Sequence, residues 1–264
     1  IRRLAIDAER APGAAKWIPY FYARVAERAP VAPSLPESAD GLLEWVVDRS
    51  VGSEGFRIEE IGPGRLRVAG DGLLGLWAGM GHVLRRARYS ERGLELDAWR
   101  GTSRPVKSVR GLYFATHFFN YYHAAPVPEI ERYLIDLALW GYNTLMVWFD
   151  RHHFKGFADP AAQEMVARLR ALLGAARRLG MRVGLCVLGN EAYADSPVEL
   201  RAEQGELWSF GVELCPAKPG ALERMLRESD ELFAAFADLK PDFLSIGPYD
   251  QGGCTCPDCR PWGG

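Results

Sequence analysis

The second half of the sequence alternates between short apolar runs and longer amphipathic runs, and this alternation constrains the fold more than any other feature. Four apolar runs of strand length occupy residues 109–115, 144–149, 182–188 and 243–246. Helical patterns separate them at residues 128–140, 160–176 and 219–239. Near-continuous apolar strands joined by helices are typical of a parallel sheet covered on both faces. The pattern predicts four β/α units, which make up the first half of a (β/α)8 TIM barrel.

A doubly wound open sheet is the structural alternative. Such nucleotide-binding sheets carry a Gly-rich phosphate loop after the first strand. Here the first strand is followed by Thr116, His117, Phe118 and Phe119 instead, which favours the barrel. We therefore expect the last four barrel units to lie beyond Gly264. We also expect that the chain, which starts at Ile1 and stops at PWGG, was trimmed or belongs to a longer one.

The first hundred residues have a different pattern, with strands and helices in irregular order. Strands are predicted at residues 2–7, 43–48 and 94–96, and helices at residues 14–29 and 72–88. The segment GFRIEEIGPGRLRVAG predicts a β-hairpin that turns at its Gly-Pro-Gly sequence. The interpretation is a small α+β domain over residues 1–103 with a supporting role, followed by the barrel domain over residues 104–264.

Composition excludes some classes of function. The net charge is −2 and the pI about 6.3, which does not favour binding to nucleic acid or to an anionic membrane. No apolar run reaches the length of about 18 residues that spans a bilayer. The aromatic supply is generous, with eight Trp, ten Tyr and twelve Phe, but aromatic side chains mostly fill cores. The oligomeric state is left open, and unpaired cysteines slightly favour a cytoplasmic location.

Polar and aromatic side chains follow the four predicted barrel strands. Because the carboxyl ends of parallel strands meet on one face, we expect these side chains to converge there. The candidate substrate contacts are His117, Asn120, Asp150, Asn190, Glu191, Tyr249 and Gln251. Asp250 is the candidate catalytic residue, since Gly252 and Gly253 shape the backbone beside it. Carboxylates, amides and aromatics around one bowl suit a carbohydrate, whose glycosidic bond is cleaved by carboxyl groups.

A metal-dependent barrel hydrolase is the alternative enzyme class. It would use His and Asp ligands, for which the candidates are His117, His123, His152, His153 and Asp150. No His-x-His motif follows the first strand, which weakens this alternative. His152 and His153 are neighbours in sequence, so we expect at most one of them to face the bowl.

The cysteines form the sharpest local motif. Cys254, Cys256 and Cys259 fall within six residues, and Cys215 lies in the loop after the third barrel strand. Together they predict a Cys₄ zinc site that would staple two loops, since four thiolates leave no open position for catalysis. Free thiols or a single disulfide are the alternatives, because Cys-x-x-Cys spacing is shared by metal knuckles and redox pairs. Cys186 lies inside a strand and is predicted to be a core residue.

Several segments resemble known carbohydrate-active enzymes. The segment EGFRIEEIGPGRLRVAGDGLLGLWAGMGHVLR resembles the small α+β domain that precedes the barrel in glycoside hydrolase family 20 and in the α-glucuronidases. VRGLYFATHFFNYY, YLIDLALWGYNTLMVWFD and GMRVGLCVLGNEAYADSP resemble the first three barrel strands of the same superfamily. The resemblance covers most of the chain and implies a (β/α)8 barrel and an exo-acting, hexosaminidase- or glucuronidase-like glycosidase.

The same resemblance bears on the catalytic residues. In family 20 an adjacent Asp-Glu pair ends the fourth strand, where the Asp orients the N-acetyl group and the Glu is the general acid. Asp250 matches the Asp, but Gln251 stands in the place of the Glu and cannot donate a proton as an acid. Either Asp250 is itself the acid, or the acid comes from elsewhere, or the protein is a non-catalytic glycan binder. The cysteine segment is not a family 20 feature.

Overall fold

The computed structural model describes residues 1–203, 211–247 and 253–260, and it shows a mixed α/β fold. Two compact units divide the chain. The first comprises Ile1–Arg110, Arg132–Asn143 and Leu179–Met181. The second comprises Gly111–Glu131, Thr144–Arg178 and Arg182–Gly264. The predicted domain boundary at residues 103 and 104 lies seven residues before the end of the first of these segments.

The first unit contains a six-stranded mixed sheet. Its strands are β1 (Arg3–Asp7), β2 (Ala32–Pro33), β3 (Gly41–Val47), β4 (Phe56–Gly62), β5 (Arg65–Gly70) and β8 (Gly101–Ser103). Their order in the sheet is β2-β1-β3-β5-β4-β8. The predicted hairpin is present, since β4 and β5 pair antiparallel with an irregularity between Glu60 and Gly62. A separate two-stranded sheet pairs β6 (Arg88–Ser90) with β7 (Gly93–Glu95).

Three helices accompany this sheet: α1 (Pro12–Ala15), α2 (Ile18–Ala26) and α3 (Leu73–Arg86). The single helix predicted over residues 14–29 is wrong, because the structure divides it between α1 and α2. Pro19 explains the break, since it lacks an N–H and its ring collides with the carbonyl group four residues earlier. The glycines of α3 permit close approach, and a Cβ atom on Gly81 would collide with the backbone oxygen of Leu139.

The second unit is built on four parallel strands. They are β9 (Gly111–Phe114), β10 (Thr144–Trp148), β11 (Arg182–Leu188) and β12 (Phe243–Gly247). Each strand pairs with the next in chain order, so that the sheet reads β12-β11-β10-β9. The helices that connect these strands in the sequence are α4 (Tyr121–Ala124), α5 (Val127–Leu139), α6 (Pro160–Arg178) and α7 (Ala221–Phe236). The part of α5 from Arg132 onward belongs to the first unit. This sequential parallel order is the one that β/α repeats produce.

Burial within the second unit is uneven. Leu145 and Val147 of β10 and Val183 and Leu185 of β11 are buried, as expected for central parallel strands. The expectation that β12 is buried is wrong, because Leu244 and Ile246 are 45 % and 68 % exposed. The physical reason is that β12 is an edge strand of the sheet as described and pairs with β11 alone. Among the described helices, none is both long and apolar enough to cross a bilayer.

Candidate functional site

A cluster of charged side chains lies where β10 ends. Asp150 follows this strand after one residue, and its carboxylate contacts the rings of His152 and His153. The Nδ1 atom of His152 makes one of these contacts, and the Nε2 atom of His153 lies 3.2 Å from Asp150 Oδ2. Asp150 and His152 are buried, whereas the His153 side chain is 36 % exposed. Both neighbouring histidines therefore reach the same carboxylate, one inside the protein and one partly in solvent.

Glu191 joins this loop to the one that follows β11. Its Oε1 accepts a hydrogen bond from the backbone N–H of Arg151 at 2.7 Å, and its Oε2 accepts one from Trp148 Nε1 at 3.2 Å. The Nδ1 atom of His152 lies 3.8 Å from Glu191 Oε1. Glu191 is almost fully buried, so its carboxyl group does not face solvent. It connects the loop after β10 with the loop after β11.

The pKa values of Asp150 and Glu191 are shifted in opposite directions. Burial alone would raise the pKa of Asp150, but hydrogen bonds from His152 and His153 outweigh it and lower the pKa to about 2. Burial raises the pKa of Glu191 to about 7, and the negative charge of Asp150 adds to the shift. Burial opposes the charge of His152, yet its contacts with Asp150 and Glu191 raise its pKa to about 9. Asp150 is thus held as a carboxylate, suited to accept hydrogen bonds from hydroxyl groups or to stabilise a positive charge.

A cavity of about 760 Å³ lies beside Asp150 within the second unit. Its wall combines aromatic rings with a few polar groups, as ligand pockets commonly do. The lining residues from the two strand-end loops are Thr116, Phe118, Phe119, His123, Asp150, His153 and Phe154. Helix α6 contributes Ala161, Glu164, Met165 and Arg168, which share one face at helical spacing. Asp150 and His153 are the members of the charged cluster that reach this cavity.

Phe118 and Phe119 present their rings at the cavity in an unusual backbone conformation. Their φ angles are 53° and 54°, in the left-handed region that residues other than glycine rarely adopt. Phe119 is 84 % exposed, and its ring stacks on His123 at 4.9 Å between centroids. Strained residues of this kind cluster at functional sites. Sequence reasoning assigned these two residues no role, although an aromatic pair directly after a strand was a visible signal.

Two other predicted substrate contacts, Asn120 and His117, lie away from the cavity lining. Asn120 caps α4, since its Oδ1 accepts from the backbone N–H of His123 at 3.2 Å and its Nδ2 donates to the Ala115 oxygen. His117 packs against the rings of Phe118 and Trp148, and burial lowers its pKa. Neither residue is among those that line the cavity.

Asn190 precedes Glu191 and is buried at the end of β11. Its Nδ2 has no hydrogen-bond partner among the residues that the structure describes. The predicted residues Tyr249, Asp250 and Gln251 lie outside the described part of the chain.

Two groups of side chains have the composition of metal ligands. In one, Asp150, His152 and His153 offer ligand atoms within 4.8 Å of one another. In the other, the four cysteines predicted to bind zinc do the same, and all four are buried. The first group is part of the candidate site, and the second is distinct from it.

Comparisons with known proteins give matches at the level of structure. No protein-family model and no curated protein matches the sequence. Among solved structures, the chain is similar to a family 20 exo-β-N-acetylglucosaminidase from Vibrio harveyi in complex with N-acetylglucosamine. The TM-score is 0.66 and the identity 14 %, over 93 % of this chain and 43 % of that one.

Two Streptomyces enzymes give similar values. The family 20 β-N-acetylhexosaminidase from Streptomyces coelicolor has a TM-score of 0.66 at 16 % identity, over 92 % of this chain and 55 % of that one. A mutant β-hexosaminidase from Streptomyces plicatus in complex with its product GlcNAc has a TM-score of 0.64 at 18 % identity, over 93 % and 54 %.

The likeness shows a shared fold. At these identities it does not by itself carry an activity, and the chain spans about half the length of the structures it matches.

Proposed function

We propose that the protein is a glycoside hydrolase that acts on a glycan at the carboxyl ends of β9 to β12, and that it is exo-acting and hexosaminidase- or glucuronidase-like. The observation that carries the proposal is the Asp150 carboxylate, held ionised by two histidines in the wall of a cavity of about 760 Å³. It follows a strand in a fold shared with family 20 hexosaminidases. An ionised carboxylate and exposed aromatic rings match the hydroxyl groups and the apolar faces of a sugar.

The proposed fold is the first half of a (β/α)8 barrel. The parallel pairing of four strands in chain order supports it. The edge position of β12, which pairs with β11 alone among the described strands, supports it as well, because unpaired backbone groups at a sheet edge are a liability that further pairing would remove. The active site of such a barrel lies at the carboxyl ends of the strands, where the cavity and Asp150 lie.

The proposed acid is Asp250. The low pKa of Asp150 argues against a proton-donating role for that residue, because a group ionised above about pH 2 holds no proton to give near neutrality. Asp250 follows β12 in sequence and remains the candidate for protonating the leaving group or orienting the substrate, with Gln251 beside it as a neutral contact. His117, Asn120, Asn190, Glu191 and Tyr249 are proposed to shape or contact the sugar site.

The test is turnover of 4-nitrophenyl glycosides, with N-acetyl-β-glucosaminide and glucuronide compared, by the complete natural protein that carries this sequence. Removing a general acid costs about 100- to 10,000-fold, so Asp250→Asn is expected to lower kcat/KM by that factor. Asp230→Asn, on the exposed face of α7, is the matched control and should leave turnover unchanged. Equal turnover of Asp250→Asn and the unmodified protein would refute the role of Asp250. Sugar binding without any turnover would instead favour the glycan-binding alternative.

A metal-dependent hydrolase is the second candidate, and one observation favours it. Asp150, His152 and His153 place their ligand atoms within 4.8 Å of one another, which a single ion requires. This candidate predicts activity that a chelator abolishes and zinc restores, together with a loss of the bound metal in His153→Ala. The glycosidase proposal predicts that His153→Ala leaves the metal content of the protein unchanged.

A further inference from the structure

Four cysteines from distant parts of the second unit meet at one point. Cys215 follows β11 by 27 residues in the sequence, whereas Cys254, Cys256 and Cys259 follow β12. Cys215 Sγ lies 3.8 Å from Cys256 Sγ and 3.7 Å from Cys259 Sγ. All four sulfurs lie within 4.8 Å of one another, and all four side chains are buried.

These distances discriminate between a disulfide and a metal site. A disulfide needs sulfurs about 2.05 Å apart, and the structure shows all four cysteines as free thiols. Four sulfurs that each lie about 2.3 Å from one tetrahedral zinc ion lie about 3.8 Å from one another. We propose that Cys215, Cys254, Cys256 and Cys259 bind one Zn²⁺ ion as a tetrahedral Cys₄ site.

The backbone around the sulfurs has the features of a metal site. The N–H of Glu203 points at Cys254 Sγ with 3.2 Å between N and S, and such donors stabilise the negative charge of a thiolate ligand. The Cys256-to-Cys259 segment is a tight turn, in which the N–H groups of Cys259 and Arg260 both donate to the Cys256 oxygen at 3.1 Å. This turn brings the two sulfurs of the Cys-x-x-Cys pair to the same side.

One backbone segment connects the two cysteine-bearing parts. Ala202 donates its N–H to the Glu213 oxygen at 2.8 Å, beside the bridge that pairs Arg201 with Leu214. Next to it, the Glu203 oxygen accepts from the N–H of Thr255 at 2.9 Å. The ligand set is therefore held by main-chain hydrogen bonds on both sides, which fixes its geometry independently of the sulfurs.

Packing alone is a poor alternative explanation for the cluster. Cysteine can act as a small apolar residue, but this group is separate from the other buried clusters, and Ala202 is the partly buried apolar neighbour described against it. Four thiols and one methyl group bury little apolar area. Binding of zinc to a preformed set of thiolates supplies free energy that such a small cluster lacks.

Four protein ligands leave zinc no open position, so the role of the ion is structural. It joins the loop after β11 to the segment after β12. Residues 248–252, which contain the proposed acid Asp250, lie in the sequence between β12 and the cysteine turn. The ion would therefore anchor one end of the segment that bears the acid, a consequence that rests on the proposed function. The zinc site itself does not depend on that function.

The test begins with the metal content of the complete protein, purified without chelator from cells supplied with zinc. The expected result is about one zinc per chain, and Zn–S distances of about 2.3 Å by X-ray absorption. Replacement of the ion by Co²⁺ alone should give the charge-transfer and d–d bands of a tetrahedral thiolate complex. Protein free of zinc that also fails to bind added Zn²⁺ or Co²⁺ would overturn the proposal, as would iron in place of zinc.

Variants then assign the ligands. The Cys256→Ser and Cys215→Ser variants should each contain much less than one zinc per chain. The Cys186→Ser variant should retain one zinc per chain, because Cys186 lies in β11 outside the cluster. Because a ligand variant can also fail to fold, the unmodified protein is titrated in parallel with a mercurial reagent that displaces zinc from thiolates. Release of one zinc as the cysteines react supports the site, and reaction of all the cysteines without zinc release contradicts it. Metal content and turnover are measured separately. The zinc proposal can therefore be tested even if the glycosidase proposal fails.

Discussion

The two compact units bury different kinds of side chain. Within the described residues, the first unit buries one polar side chain, Asn143. The second unit buries ten polar or charged residues: Thr116, Thr144, Asp150, Arg151, His152, Asn190, Glu191, Ser196, Glu213 and Glu228. Burying charge costs free energy unless each group is paired. The first unit therefore buries mostly apolar side chains, whereas the second buries charged groups whose cost must be offset by pairing.

Two asparagines make the contrast concrete. In the first unit, Asn143 Oδ1 accepts from the Arg110 N–H at 2.9 Å, and its Nδ2 donates to Glu54 Oε2 and to the Ser108 oxygen at 2.7 and 2.8 Å. In the second unit, Asn190 Nδ2 is buried with no partner among the described residues. A fully satisfied amide stabilises the fold, whereas a buried amide without a protein partner needs another partner, such as water or a ligand.

The largest expected effect comes from breaking the buried charge cluster. Asp150→Asn removes the negative charge that His152 and His153 contact, and it leaves the buried His152 imidazolium with the Glu191 carboxyl group, at 3.8 Å, as its remaining acidic neighbour. We expect the free energy of unfolding to fall by about 3–5 kcal/mol. In the first unit, Glu60→Gln breaks the ion pair between Glu60, whose side chain is 54 % exposed, and Arg100. This substitution should lower the free energy of unfolding by less than about 1 kcal/mol. Equal losses in urea unfolding would remove the distinction between the units.

The same cluster predicts a dependence of stability on pH. The folded pKa of His152, about 9, exceeds its ordinary value of 6.5, so its stabilising charge is fully present below about pH 6.5 and is lost as the pH rises to about 9. The raised pKa of Glu191 acts in the same direction between about pH 4.5 and 7. Asp150 acts oppositely, because its lowered pKa gives stability above about pH 4 that is lost towards pH 2.

The measurement is the thermal unfolding midpoint from about pH 4 to about pH 9, which should fall with rising pH. His152→Asn, which removes the titrating ring, should flatten the upper part of this profile. A midpoint that rises over this range in the unmodified protein would contradict the assigned charges.

Replacing a glycine with alanine should lower the free energy of unfolding in one helix and raise it in another. Gly81 of α3 faces the Leu139 oxygen within the first unit, where a Cβ atom has no room. Gly81→Ala should therefore destabilise the protein by about 1–3 kcal/mol through overpacking. Gly174 of α6 in the second unit meets the flexible end of Arg178 at 3.7 Å, an ordinary contact. Gly174→Ala should stabilise by about 0.5–1 kcal/mol through helix propensity, and equal signs in denaturant unfolding would contradict the packing of α3.

The sequence predicted the repeating elements best. The strand predicted at residues 182–188 is β11 without change, because an apolar run between a Gly and a Gly-Asn pair has clear ends. The helices predicted at 128–140 and 160–176 match α5 and α6 to within two residues. Periodicity determines these elements locally. It does not reveal the break at Pro19, where a single residue overrides the helical spacing of its neighbours.

The candidate site was harder to predict, since it depends on contacts between loops. Position after a strand made Asp150 a candidate, yet the joint contact of His152 and His153 with it depends on a turn that the sequence does not specify. The grouping of Cys215 with the other three cysteines was predicted because the loops after the third and fourth barrel strands are neighbours, and the structure brings the four sulfurs together. The left-handed backbone of Phe118 and Phe119 has no local sequence signal, because such strain is imposed by surrounding structure.

The left-handed backbone at Phe119 allows a test with the smallest expected change in stability. Phe119→Ala and Phe119→Gly both remove the exposed ring, but glycine alone accepts φ of 54° without penalty. Left-handed backbone costs other residues about 1–2 kcal/mol, partly offset by the greater chain entropy that glycine loses on folding. Phe119→Gly should therefore be more stable than Phe119→Ala by about 0.5–1 kcal/mol in urea unfolding.

Sugar binding by the two variants separates the ring from the backbone. If the ring is the sugar platform, both variants lose affinity for a glycan to the same extent, although their stabilities differ. If the backbone conformation itself shapes the cavity, the two variants, which differ in the cost of that conformation, lose affinity to different extents. We expect equal losses of affinity, because the 84 % exposed ring contributes little to the fold and presents an aromatic face on which a sugar could stack. Unchanged affinity in both variants would remove Phe119 from the site and leave its strain without a function.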